Sequence, residues 1–212
     1  MLAEHRLFFA QFLLRYHETG AIAPSSRWLA EALVSDVARP SSGPRKILEV
    51  GPGTGAVTGR LVRKLQPHDR LVIVELNDRF VDHLQRRFES EPAWTAVAAQ
   101  TEIVHSPVQN LPGEAEFDLI VSGLPLNNFS VELVEQILAT FERLLKPGGT
   151  LSFFEYPGVR PARAVVSLGR DRARLSGISA ALERMFHNHP TRRQWILPNL
   201  PPAVVHHVQL AG

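Results

Sequence analysis

The sequence predicts an α/β fold in which helices cover both faces of a doubly wound, mostly parallel sheet. Three observations lead to this prediction. Strand-like apolar runs alternate with helical patterns along the chain, a glycine-rich turn follows the first of these runs, and the second run ends in a carboxylate. In folds of this class the ligand crevice lies at the carboxyl ends of the strands. A ligand site is therefore expected where the glycine turn and this carboxylate meet.

The order of strands and helices follows from hydrophobic periodicity and from turn residues. Strands are predicted near residues 46–51, 70–76, 102–106, 117–122 and 150–156, the last admitted by the Pro147-Gly148-Gly149 turn. Helices are predicted near residues 26–38, 56–66, 78–90 and 130–145, with Ser25 or Ser26, Asp78 and Ser130 as N-caps. Residues 191–197 and 203–210 flank a proline-rich turn and predict a hairpin that closes the sheet.

The first residues of the chain predict an additional helix over residues 2–18. Glu4, Gln11, Arg15 and Glu18 form one polar stripe, and the remaining surface is broadly apolar. This pattern is equally compatible with a cap on the core and with a helix that dips into a lipid interface. We therefore expect an N-terminal helical extension over residues 1–38 and a main domain over residues 39–212.

The length and composition of the chain limit the classes of protein to which it can belong. The 212 residues suit one α/β domain with a full-sized core. The chain has no cysteine, which excludes a disulfide framework and a thiolate metal site, and we expect no metal. The early apolar stretch is interrupted by Gln11 and is too short to span a bilayer, and no cleavable signal is visible, so a cytoplasmic location is expected.

The glycine turn reads Gly51-Pro52-Gly53-Thr54-Gly55 and indicates a nucleotide-type ligand. A dinucleotide is one alternative, because Gly51, Gly53 and Ala56 fit its fingerprint loosely. However, Glu49 precedes the turn on the strand, where a carboxylate suits an amino-acid ammonium group. Glu75 is placed to accept the hydroxyls of a ribose. The spacing favours S-adenosylmethionine and resembles motif I of the class I S-adenosylmethionine-dependent methyltransferases.

Longer segments resemble one family, the bacterial phospholipid N-methyltransferases, over nearly the whole chain. The segments are residues 20–26, the glycine turn, residues 121–126, residues 153–157 and residues 199–203. The resemblance implies stepwise methylation of phosphatidylethanolamine toward phosphatidylcholine. Ornithine-lipid N-methyltransferases look alike at the same places, so the head group stays open. The implied fold is a Rossmann-like sheet of seven strands, the last antiparallel, with an amphipathic N-terminal helix on the membrane.

The resemblance also implies a set of cofactor contacts, which hold the methionine part, the ribose and the adenine. These are Ser25, Ser26, Glu49, Gly51, Gly53, Gly55, Glu75, Leu76, Asn77, Ser106, Pro107, Val108 and Ser122. One stretch departs from the family pattern, because many relatives have Gly-Asp-Ala where this chain has Ser106-Pro107-Val108. Gln109 or backbone oxygens are then expected to accept the adenine amino hydrogens.

The chemistry expected is an in-line displacement at a methyl carbon by an amine that has lost its proton. Backbone oxygens of Gly123 and Leu124 and the hydroxyls of Tyr16 and Tyr156 are the candidate groups that orient the amine, with His17 as another proton acceptor. The faces of Tyr16, Phe129 and Tyr156 are candidates for contact with the methylated cation, with ordinary core packing as the alternative.

Substrate contacts are expected at Pro125, Asn127 and Arg160. Arg160 belongs to an arginine-rich stretch, residues 157–193. That stretch suits lipid phosphates or an anionic membrane, but it also suits nucleic acid or a merely solvated face.

Two other functions compete with lipid methylation. The ribosomal RNA adenine dimethyltransferases share this layout but carry Asn/Asp-Pro-Pro-aromatic where this chain has Ser122-Gly123-Leu124-Pro125. A catalytically silent binding module is disfavoured by the intact glycine turn and Glu75. The expected partners are a membrane aminolipid and an anionic membrane surface, with no nucleic acid. We expect a monomer peripheral to the inner membrane.

Overall fold

A computed structural model of the chain describes residues 26–39, 41, 43–157, 169–199 and 201–211, with only the backbone described for residues 169–171. The predicted helix over residues 2–18 lies outside these residues, as do Tyr16, His17, Ser25 and Arg160. Their predicted roles are therefore not tested by the structure.

The described residues form one seven-stranded sheet. The strands are β1 (Lys46–Val50), β2 (Arg70–Glu75), β3 (Thr101–His105), β4 (Phe117–Ser122), β5 (Leu145–Glu155), β6 (Thr191–Ile196) and β7 (Ala203–Gln209), in the spatial order β3-β2-β1-β4-β5-β7-β6. Strands β1 to β5 are parallel, whereas β7 is antiparallel to both of its neighbours. The predicted α/β class, with seven strands and an antiparallel last strand, is confirmed.

Helices cover both faces of this sheet. They are α1 (Arg27–Leu33), α2 (Thr58–Leu61), α3 (Asp78–Ser90), α4 (Pro92–Thr95), α5 (Val131–Leu144) and α6 (Gly169–Asn188), with 3₁₀ turns at Ala98–Gln100, Val108–Asn110 and Leu126–Asn128. Apolar side chains from α5 and α6 pack on one face of the sheet, and those from α1 to α4 pack on the other. Because side chains alternate along a strand, each central strand contributes to both apolar layers.

Three predicted boundaries were wrong. Helix α1 ends at Leu33 and is followed by turns to residue 38, because the guanidinium of Arg45 binds the carbonyls of Val37 and Arg39. The cap of α3 is Asn77, not Asp78, since the Asn77 side chain accepts hydrogen bonds from the first turn. The predicted helix over residues 56–66 is regular only at α2, between turns.

The start of β5 also differs from the prediction. The strand begins at Leu145 and passes through the Pro147-Gly148-Gly149 sequence, which had been expected to precede it. Gly148 adopts φ +77°, and the pairing register with β4 shifts between Phe117 and Leu119. Gly149 accepts a hydrogen bond from Leu210. The glycines therefore make an irregularity within the strand and do not end it. Ser26 and Ser130 cap α1 and α5 as predicted.

A buried ion pair connects the N-terminal part to the sheet. Asp69 accepts two hydrogen bonds from the Arg45 guanidinium, at 3.1 and 2.6 Å, and one from its backbone N–H. The same guanidinium holds the carbonyls of Val37 and Arg39. One arginine thus connects the segment after α1, the entry to β1 and the entry to β2.

We predict that Asp69→Ala lowers the free energy of unfolding by about 3–5 kcal/mol, because it leaves a buried guanidinium without its carboxylate. Urea denaturation at neutral pH measures this change. Glu31→Ala is the matched control, since Glu31 pairs with Lys64 at the surface and its loss is expected to cost at most about 1 kcal/mol. A loss of similar size in the two variants would contradict the assignment.

The same pair predicts a pH dependence. Burial alone would raise the pKa of Asp69, but the hydrogen bonds from Arg45 and from the Gln66 N–H hold it below the ordinary value of 3.8. A carboxyl group with a lowered folded-state pKa stabilises the fold above its unfolded pKa, and this stabilisation is lost as the pH falls through the folded value. The stability difference between the wild type and Asp69→Ala should therefore shrink below about pH 4.

Candidate active site

The carboxyl ends of β1, β2, β3 and β4 meet at one edge of the sheet, where the strand order reverses between β1 and β4. The loops that follow these strands border a crevice at this edge, which is the position expected for a ligand. The crevice is lined by Val50, Gly51, Val74, Glu75, Leu76, Ser106, Pro107, Val108, Gln109, Leu124, Phe129, Leu133 and Ile137. Most of the predicted ribose and adenine contacts are thus brought together.

The glycines of the first loop have different roles. Gly51, Gly53 and Gly55 all have positive φ angles, of 67°, 57° and 81°. A Cβ atom at Gly51 would lie 2.5 Å from the Leu124 side chain, and one at Gly55 would lie 2.8 Å from Trp94. A Cβ atom at Gly53 would meet nothing within 4 Å. Gly53 therefore leaves open space for a ligand, whereas Gly55 allows close packing under α3 and α4.

Glu75 is held by the backbone of two loops. One carboxylate oxygen accepts hydrogen bonds from the N–H groups of Leu76 and Asn77, both at 2.8 Å, and the other accepts from Gly53 at 3.1 Å. Burial raises the pKa of Glu75, although these three donors and nearby His105 favour its ionised form. The carboxylate is fixed between the glycine loop and the loop after β2, where a ligand's hydroxyl groups can reach it.

Glu49 is a buried carboxyl group without a regular partner. Its side chain is 1% exposed, and neither oxygen makes a regular hydrogen bond with a described residue. Burial raises the pKa of Glu49 to about 8, and the nearby Glu75 carboxylate acts in the same direction, whereas the Thr58 hydroxyl and N–H oppose it. Glu49 comes directly before Val50 and Gly51, which line the crevice, and a cationic ligand group that reached this buried carboxyl group would favour its ionised form.

The loop after β4 lies directly against the glycine loop. The Gly123 N–H donates to the Val50 carbonyl at 2.8 Å, and a Cβ atom at Gly123 would lie 2.6 Å from the Gly51 carbonyl oxygen. Ser122 is fully buried, and its hydroxyl accepts a hydrogen bond from the Leu124 N–H. The Leu124 carbonyl already accepts from the Leu126 N–H. Among the described residues none donates to the Gly123 carbonyl, so this is the oxygen better placed to orient an amine.

The loop after β3 closes the other side of the crevice. The Ser106 N–H donates to the Glu75 carbonyl, and the Ser106 hydroxyl donates to the Pro107 carbonyl. No carboxylate stands here, as the sequence indicated, and Gln109 lines the crevice. Phe129 is 1% exposed and also lines this crevice, which favours the core-packing alternative over an open cation site.

The remaining predicted residues lie near the loop after β4 and the end of β5. The Asn127 carbonyl accepts a hydrogen bond from Arg174 at 2.7 Å, and Pro125 caps the 3₁₀ turn at Leu126–Asn128. Tyr156 is buried and contacts Phe154 edge-to-face, with 5.2 Å between ring centroids. The Ser26 hydroxyl caps α1. The structure gives these side chains structural contacts, and their predicted functional roles stay predictions.

Sequence reasoning missed two features of this edge. Thr58 is fully buried and faces Glu49. The two residues are too far apart in the sequence for a local pattern to predict this contact. Glu155 ends β5, and its Oε2 lies 2.9 Å from Nε2 of His206. The rule that identified Glu75, a carboxylate at the end of an apolar strand, could have found Glu155.

The described arginines of the 157–193 stretch mostly have partners within the protein. Arg174 donates to the carbonyls of Asn127 and Phe129. Arg184 pairs with Glu135, and Arg192 pairs with Asp36. These contacts brace the fold, and so much of the described part of this stretch is not a free basic surface.

Neither a metal cluster nor a membrane-spanning element is found in the part of the chain that the structure describes. No group of three or more histidine, aspartate or glutamate residues there could hold a metal ion. No helix there combines the length and apolarity needed to cross a bilayer.

Comparison with known proteins agrees with this geometry. Residues 47–149 match the family described as "Methyltransferase domain". The chain is 28% identical over 146 residues to an ornithine lipid N-methyltransferase of Singulisphaera acidiphila, which covers 69% of this chain and 74% of that protein. It is 32% identical over 123 residues to the ribosomal RNA small subunit methyltransferase A of Parasynechococcus marenigrum, but this covers only 57% of this chain and 39% of that protein.

Solved structures show the same fold. The O-methyltransferase TomG from Streptomyces achromogenes, in complex with S-adenosylmethionine, superposes with a TM-score of 0.62 at 19% identity, over 91% of this chain and 82% of that one. An O-methyltransferase from Bacillus cereus, in complex with S-adenosylhomocysteine, gives 0.62 at 16% identity, over 95% and 90%. These likenesses show the class I methyltransferase fold. The match of residues 47–149 to the methyltransferase domain, together with the crevice that Glu75 lines, indicates an S-adenosylmethionine-dependent methyltransferase.

Proposed function

We propose that this enzyme methylates the amine nitrogen of a membrane aminolipid. The observation that carries the proposal is the loop after β4, where Gly123 lies against Gly51 and no described residue donates to the Gly123 carbonyl oxygen. A carbonyl oxygen can accept a hydrogen bond from an amine and so direct its lone pair. The similarity to an ornithine lipid N-methyltransferase, across 74% of that protein, supports a lipid amine as the acceptor.

The residues present fit S-adenosylmethionine. The unpartnered Glu49 carboxyl group would receive the ammonium of the methionine part, and Glu75 would receive the ribose hydroxyls. The open space at Gly53 and the apolar crevice beside Ser106, Pro107 and Val108 would take the rest of the nucleoside. When bound, the cofactor supplies an electrophilic methyl group.

The chain itself has to orient the amine, exclude water and receive a proton. The buried loops at Ser122 and Leu124 exclude water beside the Gly123 carbonyl. Glu155 ends the neighbouring strand β5 and Tyr156 follows it, and both side chains are candidates for proton transfer. Tyr16, with its hydroxyl and aromatic face, and Arg160, as a contact for an anionic head-group moiety, remain proposals from the resemblance.

The head group is the finer part of the proposal. The sequence resemblance put phosphatidylethanolamine first and left ornithine lipid as an alternative. The similarity to the Singulisphaera enzyme favours the free amine of an ornithine lipid. We therefore place ornithine lipid first and phosphatidylethanolamine second, with action at the cytoplasmic face of a membrane.

Ribosomal RNA is the competing acceptor, because one relative is an RNA methyltransferase. The loop after β4 argues against it. Residues 122–125 read Ser-Gly-Leu-Pro and offer no aromatic ring to stack on a base. Phe129, the nearest following aromatic residue, is buried in the core.

We predict that methyl groups from labelled S-adenosylmethionine appear in ornithine lipid, or in phosphatidylethanolamine, and not in RNA. The three acceptors are offered in parallel, the lipids as vesicles and the RNA as total RNA, and the label is counted after separation. Label in the RNA fraction alone would overturn the lipid proposal. Cofactor binding without label in any fraction would instead favour a silent module.

We predict that Glu75→Ala weakens binding of S-adenosylhomocysteine by about tenfold or more, since hydrogen bonds to a charged group contribute about 1.5–3 kcal/mol. Isothermal titration calorimetry measures the affinity. Asp78→Ala is the control, because Asp78 begins α3 next to this loop but is exposed. Equal affinity for Glu75→Ala and the wild type would show that the ribose is placed wrongly.

We predict that cofactor affinity rises with pH between about pH 6 and 8, by up to about tenfold per pH unit. Burial keeps the pKa of Glu49 at about 8 in the ligand-free protein, so the group is protonated below this pH. An ammonium ion favours the ionised form, and binding must therefore release a proton. Titrations in buffers of different ionisation enthalpy count that proton.

Glu49→Gln is the matched variant for this test, because it keeps the size of the side chain and cannot ionise. Its affinity should be lower than that of the wild type at pH 8 and nearly independent of pH. A wild-type affinity that stays constant from pH 6 to 8, with no proton released, would place the ammonium elsewhere.

A further inference from the structure

Three large apolar side chains are exposed in the described structure. They are Trp28 (49% exposed), Trp195 (60%) and Leu197 (69%), and we call them the apolar rim. Scattered apolar residues on a surface are ordinary, but a local group of large ones marks an interaction site. Whether these three residues form an interaction site therefore depends on where they lie relative to one another.

Packing brings the three residues to the same end of the sheet. Helix α1 packs against β6 and β7, and its residue Leu29 shares a core cluster with Ile196 at the end of β6. After α1, Asp36 binds Arg192 near the start of β6. The helix thus runs opposite to β6, and its rise of about 10 Å nearly matches the roughly 13 Å from Arg192 to Ile196. The first turn of α1, with Trp28, therefore lies near the end of β6, on the sheet face to which Ile196 contributes. Trp195 alternates with Ile196 and so extends from the other face, and Leu197 follows both residues.

This end is also the edge that carries the active site. β6 is antiparallel to β7, and β7 is antiparallel to β5, so β6 ends at the same edge as β5 and β4. The apolar rim and the Ser122–Pro125 loop therefore open toward the same side of the molecule.

The turn that carries Leu197 is held in a fixed shape. Asn199 is only 4% exposed, its side-chain amide donates to the Pro201 carbonyl at 2.7 Å, and its N–H donates to the Ile196 carbonyl. A buried asparagine thus braces a turn whose leucine points into solvent. The exposure of Leu197 is built into the turn.

The charged groups around the apolar rim are mostly cationic, and the exposed Glu31 of α1 is paired with Lys64. The Arg27 guanidinium lies 4.4 Å from the centroid of the Trp28 ring, and exposed Arg193 lies over Phe186 two residues before Trp195. Residues 191–212 contain no aspartate or glutamate. Tryptophan beside arginine is typical of surfaces at the head-group level of a membrane, and the cations favour anionic lipids.

We propose that the apolar rim docks on an anionic lipid bilayer, with the two tryptophans at the head-group level and Leu197 at the start of the acyl chains. This inference rests on the proposed function, which requires a lipid substrate to reach the active-site edge. It adds a membrane contact within the catalytic domain to the one predicted for residues 2–18.

Tryptophan fluorescence tests the proposal on the full chain. The vesicles contain phosphatidylglycerol and phosphatidylcholine with brominated acyl chains, and unbrominated vesicles are the reference. We expect brominated vesicles to quench the wild type, to quench Trp28→Phe and Trp195→Phe partly, and not to quench the double variant. The double variant retains Trp94, which is fully buried.

A second variant separates docking from catalysis. We expect Leu197→Glu to weaken vesicle binding by about tenfold or more, since it replaces the exposed leucine proposed to enter the bilayer with a charge. It should still methylate a short-chain, monomeric ornithine lipid at the wild-type rate. His68→Glu, which adds the same charge to the exposed turn before β2 at the opposite edge, is the control and should bind vesicles normally.

Three outcomes distinguish a failure of the docking proposal from a failure of the proposed function. Unquenched tryptophans together with unchanged vesicle binding by Leu197→Glu would overturn the docking surface. A wild-type dimer in light scattering that Leu197→Glu converts to a monomer would also overturn it, because the rim would then be a protein interface. Quenching of Trp28 and Trp195 without methylation of any aminolipid would support the surface and reject the proposed function.

Discussion

The active site depends on the backbone contact between the loops after β1 and β4, at the point where the strand order reverses. The Gly123 N–H binds the Val50 carbonyl, and the Gly123 α-carbon is so close to the Gly51 carbonyl that a Cβ atom would lie only 2.6 Å from it. Any side chain at Gly123 would push the two loops apart. Leu124, which packs over Gly51, would then move with them. The absence of a side chain at Gly123 thus sets the distance between the loop after β1 and the loop after β4. In-line methyl transfer depends on that distance.

Two buried carboxyl groups in this site are arranged differently. Three backbone N–H groups donate hydrogen bonds to the Glu75 carboxylate and stabilise its negative charge in the ligand-free protein. Glu49 has no regular partner, and burial raises its pKa to about 8. A buried group left unsatisfied destabilises the ligand-free protein, and a cationic ligand removes that penalty. The contrast supports the proposal that Glu75 receives a neutral part of the ligand and Glu49 a charged part, as the ribose and the ammonium of S-adenosylmethionine would require.

The sequence predicted the parts of this site that depend on local rules. The glycine turn, the carboxylates at strand ends and the strand–helix alternation identified the fold and the crevice, because each reflects backbone geometry within a few residues. Contacts between distant segments were not visible. Thr58 faces Glu49 only because α2 packs over β1, and Asn77 caps α3 because Glu75 holds the preceding loop. The partners of Arg174 and Arg192 likewise arise from packing, and without them their stretch looked like an open basic surface.

The position of the apolar rim depends on how the last two strands complete the sheet. Strands β5 and β7 lie between the loop after β4 and the end of β6. The distance between that loop and the end of β6 is therefore three strand spacings, or about 14 Å. A membrane contact at that distance can hold the mouth of the crevice over the bilayer without covering it. The antiparallel β7 is what makes this possible, since it returns the chain so that β6 ends at the active-site edge. The Arg192–Asp36 pair then fixes α1 along β6, so that Trp28, Trp195 and Leu197 lie toward the same edge of the sheet. In the proposed docking, the topology that completes the sheet would also orient the enzyme toward a lipid substrate.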